Sequence, residues 1–317
     1  MKYNFTPKLA KTDCLVVGVY EKTPLEKQFG GLLPAGILKE LKKRIEAKDF
    51  EPKEESVIKL YPNLAGVERM IAIGLGEWSK DFDMDMVRKM GAMIPRLTEK
   101  CMNVSVLLPK IFDENKNSNT WENANCVCIE GYAIGRYKFE TYFSKKSDPS
   151  LTKTLTCIGG AKVSSEKVRE IETLSKSIAM VRDLVNTPAS DMSPAIVERK
   201  ARRLGKFKNL KVKVLNEATL KKMGAGSILA VGKGAKEKAR MIIFEYKNKP
   251  RNKKPYAFVG KGVCFDSGGL NLKPSHHIED MKLDMSGAAT VMGIFRTLGE
   301  LQPHLHVVGV IGVVENA

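Results

Sequence analysis

The sequence has no apolar run approaching the ~20 residues that span a bilayer, so no segment of it reads as a transmembrane helix. Its start, Met1 to Asp13, is mixed and polar and lacks the apolar centre of a secretory signal. It contains no internal repeat and no low-complexity tract. Cysteine is sparse: six residues (Cys14, Cys101, Cys126, Cys128, Cys157 and Cys264) lie scattered through 317, each in or beside an apolar segment. That placement suits reduced, buried thiols rather than a disulfide framework. Cys126 and Cys128 are two apart, too close for a C-x-x-C zinc knuckle. These absences make the cytoplasm the default compartment. Acidic residues are outnumbered, leaving a formal net charge of +17.

The remainder is an ordinary globular composition, 43% hydrophobic and 28% charged, in a chain long enough for two domains. Over the first 160 residues short β-branched segments alternate with helical patterns. Strands are expected at Cys14–Tyr20, Ser56–Leu60, Arg69–Gly74, Asn103–Leu108 and Lys153–Ile158, with helices at Asp83–Lys100 and Trp121–Tyr137. Alternation of this kind predicts a mostly parallel sheet covered by helices. After a polar loop (Ser144–Ser150), residues 164–186 carry apolar side chains at Val168, Ile171, Leu174, Ile178, Val181 and Val185, one continuous helical stripe long enough to join two domains. A second α/β region follows. Ser193 and Pro194 read as a helix start and Gly205 as its stop. Strands are expected at Lys211–Leu215, Ala239–Tyr246, Tyr256–Val259 and His306–Val313, the last so apolar that it reads as buried on both faces. The fold class is therefore α/β: two α/β domains, each with a mostly parallel or mixed sheet and flanking helices, joined by a long helix.

The chemistry concentrates in Phe258–Thr290. There Lys261, Asp266, Lys273 and Asp284 follow an apolar strand at spacings of 5, 7 and 11, among glycines at 260, 262, 268 and 269. Glycines let the backbone turn tightly or approach a ligand closely, and the carboxyl ends of strands are where open α/β sheets hold ligands. Two carboxylates suit a divalent metal. A lysine could join them only as the neutral amine, and a second, charged lysine could stabilise an anion forming in a transition state. Other readings stand beside this one. Gly260-Lys261-Gly262 lacks the frame of a P-loop and could be a plain strand-to-loop turn, as could Gly232-Lys233-Gly234. Asp266 could cap a turn, and Asp284 could sit before a helix at 287–298. The adjacent His276 and His277 are poorly spaced to share one ion, and His304 and His306 read as structural or surface residues. The basic stretch Arg199–Lys213, with eight Lys or Arg and no acid, and a second at Lys247–Lys254 could meet a polyanion. No aromatic residues interleave the charges as a stacking platform requires, so a solvated basic face is the plainer reading.

Residues Val259-Gly-Lys-Gly-Val-Cys-Phe-Asp-Ser-Gly-Gly-Leu-Asn-Leu-Lys-Pro, followed by Met281-Lys-Leu-Asp-Met-Ser-Gly-Ala-Ala-Thr, resemble the signature of the leucyl aminopeptidase (M17) family. So do Arg182-Asp-Leu-Val-Asn-Thr-Pro-Ala, Met223–Gly234 and Ile242–Tyr246. The resemblance is specific over about residues 180–317 and weaker before them. It implies an N-terminal macro-like domain at 1–160, a linker helix at 161–186 and the first part of a metallo-aminopeptidase domain at 187–317. It also implies hydrolysis of N-terminal, leucine-like residues from peptides by a homo-hexamer whose sites hold two divalent cations, commonly zinc, manganese or cobalt. Carried over by motif, Lys261 ligates one cation as the neutral amine, Asp266 bridges both, Asp284 completes the Lys261 side, and Lys273 is the catalytic lysine that holds the substrate carbonyl oxygen. Paired cations would polarise that carbonyl and activate water near neutral pH.

Two departures stand out. The family draws further metal ligands, and an arginine that positions bicarbonate, from a later N-T-D-A-E-G-R-L motif that is absent from these 317 residues. The resemblance thus implies a C-terminally truncated catalytic domain whose second cation depends on Asp266 alone, so that at most weak, single-metal occupancy is expected, and a last strand left exposed on an unfinished sheet. Glu315 precedes the motif and is expected in a loop, not as a substitute ligand. Cys264 stands where relatives carry Thr and Ser286 where many carry Gly. The alternatives are an inactive fragment, or a non-catalytic polyanion- or DNA-binding protein on the same scaffold.

Overall fold

The structure, a computed structural model, describes residues 1–62, 66–78, 84–110, 120–147, 151–250 and 254–317, with the backbone alone at 120–123. The expected helix start at Asp83, the Trp121 side chain, the end of the 144–150 loop and the middle of the 247–254 basic cluster lie outside the described residues. The chain divides into two compact units, Met1–Glu172 and Thr173–Ala317.

In the first unit the chain runs through β1 (Lys2–Thr6), β2 (Thr12–Glu21), α1 (Leu25–Phe29), α2 (Ala35–Glu46), β3 (Val57–Leu60), β4 (Val67–Glu77), α3 (Asp85–Leu97), β5 (Asn103–Leu107), α4 (Thr120–Gly135) and β6 (Thr154–Ile158), and enters α5 (Ser165–Asn186). The sheet order is β1-β6-β5-β2-β4-β3, parallel except for the antiparallel edge strand β3. Its central strand β2 is buried on both faces, so successive residues serve different cores. Cys14, Val16 and Tyr20 pack in a cluster with Val87, Met90 and Ile94 of α3 and Cys128 and Tyr132 of α4. Leu15, Val17 and Val19 pack with Leu25 and Phe29 of α1 and Ile37 and Leu41 of α2. The sequence reading omits β1, a short strand whose half-buried Tyr3 and Phe5 alternate with polar neighbours at the sheet's edge.

Helices α3 and α4 touch backbone to backbone. A Cβ on Gly131 would lie 2.0 Å from the Arg88 carbonyl oxygen, one on Gly91 2.3 Å from that of Cys128, and one on Gly135 2.2 Å from that of Ala92. Only glycine tolerates contacts this short.

In the second unit α5 is followed by α6 (Pro194–Leu204), β7 (Leu210–Leu215), α7 (Glu217–Lys222), α8 (Gly226–Val231), β8 (Arg240–Lys247), β9 (Tyr256–Asp266), α9 (Ser275–Ile278), a 3-10 turn (Met281–Met285), α10 (Ser286–Leu301) and β10 (His306–Asn316). The expected α5 stripe is interrupted. Val168 and Ile171 join the first unit's core and Val181, Leu184 and Val185 the second's, while Leu174 and Ile178 between them are exposed. Ser193 does precede α6 with Pro194 in its first turn, but its hydroxyl makes no capping bond. Arg199, Arg202, Arg203, Lys206, Lys208, Lys211 and Lys213 are all exposed on α6, β7 and the loop between them.

The sheet order here is β7-β8-β10-β9, with β9 and β10 parallel and the other pairs antiparallel. Three expectations are corrected. The last strand, β10, is not an exposed edge: it lies inside the sheet between β8 and β9, and β9 is the edge, with Tyr256, Phe258 and Val259 exposed. Nor is β10 buried evenly on both faces. Val307, Ile311 and Val313 pack under α10 with Phe244 and Phe295, whereas Val308 and Val310 on the opposite face are half-covered. Glu315 lies within β10 rather than in a loop.

Replacing Gly131 by Ala drives a methyl group into the α3 backbone. We expect a loss of about 1–3 kcal/mol, read as a lower denaturation midpoint at unchanged m-value. An unshifted midpoint would show that the two helices can part without cost.

Candidate metal and catalytic site

β9 runs on to Asp266, well past the expected end at Val259. Gly260 and Gly262 lie within the strand and serve close approach, not a turn. A Cβ on Gly260 would come 2.5 Å from the Gly287 carbonyl oxygen and 2.9 Å from the Ala288 Cα. One on Gly287 would come 2.9 Å from the Lys261 amide nitrogen. The first turn of α10 therefore lies directly on β9, and the 3-10 turn before it is laid along the strand. The tight turn itself is made by Gly268 (φ +94°) and Gly269 (φ +64°), in a region costly to any residue with a Cβ.

This arrangement forms two lysine–aspartate pairs. Lys261, on β9, reaches Asp284 in the 3-10 turn with Nζ 2.7 Å from Oδ2. The contact is an ion pair without hydrogen-bond alignment, and Asp284 Oδ2 is buried with no hydrogen-bond partner. Lys273 donates from Nζ to Asp266 Oδ2 at 2.7 Å, and the same Nζ lies 3.0 Å from Met281 Sδ. Met281 and Asp284 are three apart in a 3-10 turn, where side chains at that spacing eclipse along one face about 6 Å apart. Both pairs thus touch the same face of one short turn.

Asp266 is the most heavily bonded of the four. Its Oδ1 accepts from the Gly268 amide at 3.1 Å and from Asn316 Nδ2 at 2.7 Å. Burial alone would raise its pKa, but the bonds from Lys273, Asn316 and Gly268 outweigh burial and hold the carboxyl below its ordinary value. Asn316 has no place among the residues singled out in the sequence, and Met281 enters there only as the start of a motif, without a role. The signal for Asn316 was a polar residue ending an apolar strand, beside the carboxyl end of its neighbour.

The donor set fits a divalent cation. It offers two aspartates and a lysine amine, and a buried carboxylate oxygen without a hydrogen bond faces that amine. Among the described residues no three His, Cys, Asp or Glu side chains gather as a metal cage, so any cation would depend on the lysine as well. The neighbouring candidates lie as follows. His276 and His277 are exposed in α9 with ring centroids 4.0 Å apart. His306 lies 3.2 Å from Glu245 on the neighbouring strand β8. Cys264 is buried, which pushes its thiol pKa up to about 12. All six cysteines are free thiols.

Lys261→Ala and Asp284→Asn, made singly and together, should show a coupling of about 0.5–1 kcal/mol in chemical denaturation, the range for a pair with one exposed member. Strictly additive effects would mean that the contact contributes nothing.

Against known families, residues 179–317 match the profile of the cytosol aminopeptidase family, catalytic domain, and residues 16–146 match that of the same family's N-terminal domain. A "Probable cytosol aminopeptidase" of Roseiflexus castenholzii is 31% identical over 98% of the chain, and one of Hamiltonella defensa is 33% identical over 96%. The chain spans 62% of the length of each of these relatives. Among solved structures, a bottromycin maturation enzyme, BotP, in complex with Mn superposes with a TM-score of 0.74 at 26% identity, over 96% of this chain and 60% of that one. A tomato leucine aminopeptidase mutant superposes at 0.83 over 100% of this chain and 63% of that one; at 24% identity this likeness speaks to the fold alone. Among the described residues no helix is long and apolar enough to cross a membrane.

Proposed function

The chain belongs to the cytosol aminopeptidase family, and from that footing we propose that Lys261, Asp266, Lys273 and Asp284 are its part of a metal-dependent aminopeptidase site. The observation that carries this reading is the two lysine–aspartate contacts at the 281–285 turn, one made to its Asp284 and the other touching its Met281 through Lys273. Lys261, Asp266 and Asp284 would hold the divalent cation, Zn2+ or Mn2+, with Asp266 the residue shared with a second cation. Cations bound there would polarise the scissile carbonyl of a peptide and lower the pKa of water. Asp266 keeps its negative charge because three hydrogen bonds favour the ionised form. Lys273 has the charge and the partial exposure to meet the carbonyl oxygen as it becomes an oxyanion, and its bond to Asp266 orients it meanwhile.

The substrates proposed are peptides with a free N-terminus and a leucine-like first residue, cut in the cytoplasm by a homo-hexamer. We further propose that residues 1–160 form the macro-like domain, 161–186 the linker helix and 187–317 the catalytic part. Family membership supports the peptide substrates, and the other features are carried over from the motif resemblance. A polyanion-binding role is not favoured, because the family is one of peptidases.

Release of chromophore from a leucine amide by the Mn2+- or Zn2+-loaded protein tests the proposal. Lys273→Ala should lower kcat/KM by at least about 100-fold, the scale of losing one oxyanion donor. A chelator should abolish turnover and added Mn2+ restore it. Turnover indifferent to both chelator and Lys273→Ala would overturn the assignment.

A further inference from the structure

Asn316 ends β10 and faces Asp266 across the parallel ladder. The register shifts just before it: Val314 faces Val263, yet two residues later Asn316 faces Asp266, three residues on. An unbroken register would set Asn316 opposite Phe265, whose side chain leaves on the other face of the strand. One extra residue in β9, a bulge, thus turns the aspartate toward the asparagine.

Asn316 is itself held firmly. Its main-chain carbonyl accepts from the Ser267 amide at 2.9 Å and the Ser267 hydroxyl at 2.8 Å. Its side-chain oxygen packs where a Cβ on Gly269 would come within 2.7 Å. From that fixed position its Nδ2 donates to Asp266 Oδ1 at 2.7 Å, beside the Gly268 amide. Two neutral donors on Oδ1 fix the rotation of the carboxylate and leave Oδ2 for Lys273. Neutrality matters. An arginine or lysine at position 316 would also anchor Oδ1, but it would cancel the charge that a cation needs.

We propose that Asn316 is a positioning residue that locks the Asp266 carboxylate in the orientation required for cation binding, touching neither cation nor substrate. This rests on the metal-site reading above and adds the device that holds its central ligand. Partners of this kind commonly change metal affinity by 10–100-fold when removed.

Mn2+ titration of the whole protein, following free Mn2+ by electron paramagnetic resonance, tests the idea with four proteins: wild type, Asp266→Asn, Asn316→Ala and Ser267→Ala. Asp266→Asn should lose the site. Asn316→Ala should bind about 10–100-fold more weakly while still unfolding cooperatively. Ser267→Ala, which removes a strut of Asn316 but leaves its amide on Asp266, should stay within about threefold of wild type. Asn316→Ala binding like wild type, or Ser267→Ala weakening binding as much as Asn316→Ala, would overturn the positioning role while leaving the metal site standing. Wild type that binds no Mn2+, or Asp266→Asn that binds like wild type, would remove the metal-site reading and this proposal with it. Should Asn316→Ala not fold, the Asn316 side-chain amide resonances decide. They should shift on Zn2+ addition in wild type and not in Asp266→Asn; resonances unmoved by Zn2+ in wild type would overturn the role.

Discussion

The first turn of α10 lies against the backbone of β9, and the contact closes only because Gly260 and Gly287 meet without side chains. Everything at the candidate site follows from that approach. A helix packed on a sheet through larger side chains stands farther off. Here the helix start is drawn in until Gly287 touches the Lys261 amide, and the five-residue turn before it has no choice but to run beside the strand. Asp284 is carried to Lys261 by backbone contact rather than by long-range attraction between the charges. Phe295 further along α10 stacks on Phe244 of β8 and anchors the helix in the core, so the polar end is positioned by the apolar one.

The electrostatics are economical. Two aspartates and two lysines balance to no net charge, in two separate contacts that both reach one turn. Such a set can be folded without a cation, because each carboxylate already has a positive partner, and a cation would have to take the place of at least one ammonium charge. Its weak point is Asp284, whose buried Oδ2 has an ion-pair contact but no hydrogen bond. Asp266 is the opposite case, with three donors on two oxygens. In the proposed site the well-anchored carboxylate serves as the fixed point and the under-satisfied one as the group with most to gain from a cation.

Much of this was legible in the sequence. Short β-branched runs alternating with helical stripes give the first unit's parallel sheet, and Lys261, Asp266, Lys273 and Asp284 stand out as charges among glycines after an apolar strand. The parts that were not legible share a physical cause: they depend on what lies across from a residue. Gly260 and Gly262 look like turn residues along the chain, and only the partner helix shows them to be points of contact inside a strand. Asn316 carries no motif, and its role needs a bulge in a different strand. The apolar run of β10 suggests burial on both faces, but Val308 and Val310 are half-covered because the helices on that side, α7 and α8, are short. β1 leaves no periodic signal, because an edge strand needs only two inward side chains.

The central claim is that one face of the 281–285 turn and the carboxyl end of β9 together hold a divalent cation. Crystals of the protein equilibrated with Mn2+ and measured at wavelengths on either side of the manganese absorption edge test it directly. The account predicts an anomalous peak within coordination distance of Lys261 Nζ and the carboxylates of Asp266 and Asp284. A structure at full Mn2+ with no peak there, both lysine–aspartate contacts intact and manganese bound at other residues such as His276 and His277, would contradict it.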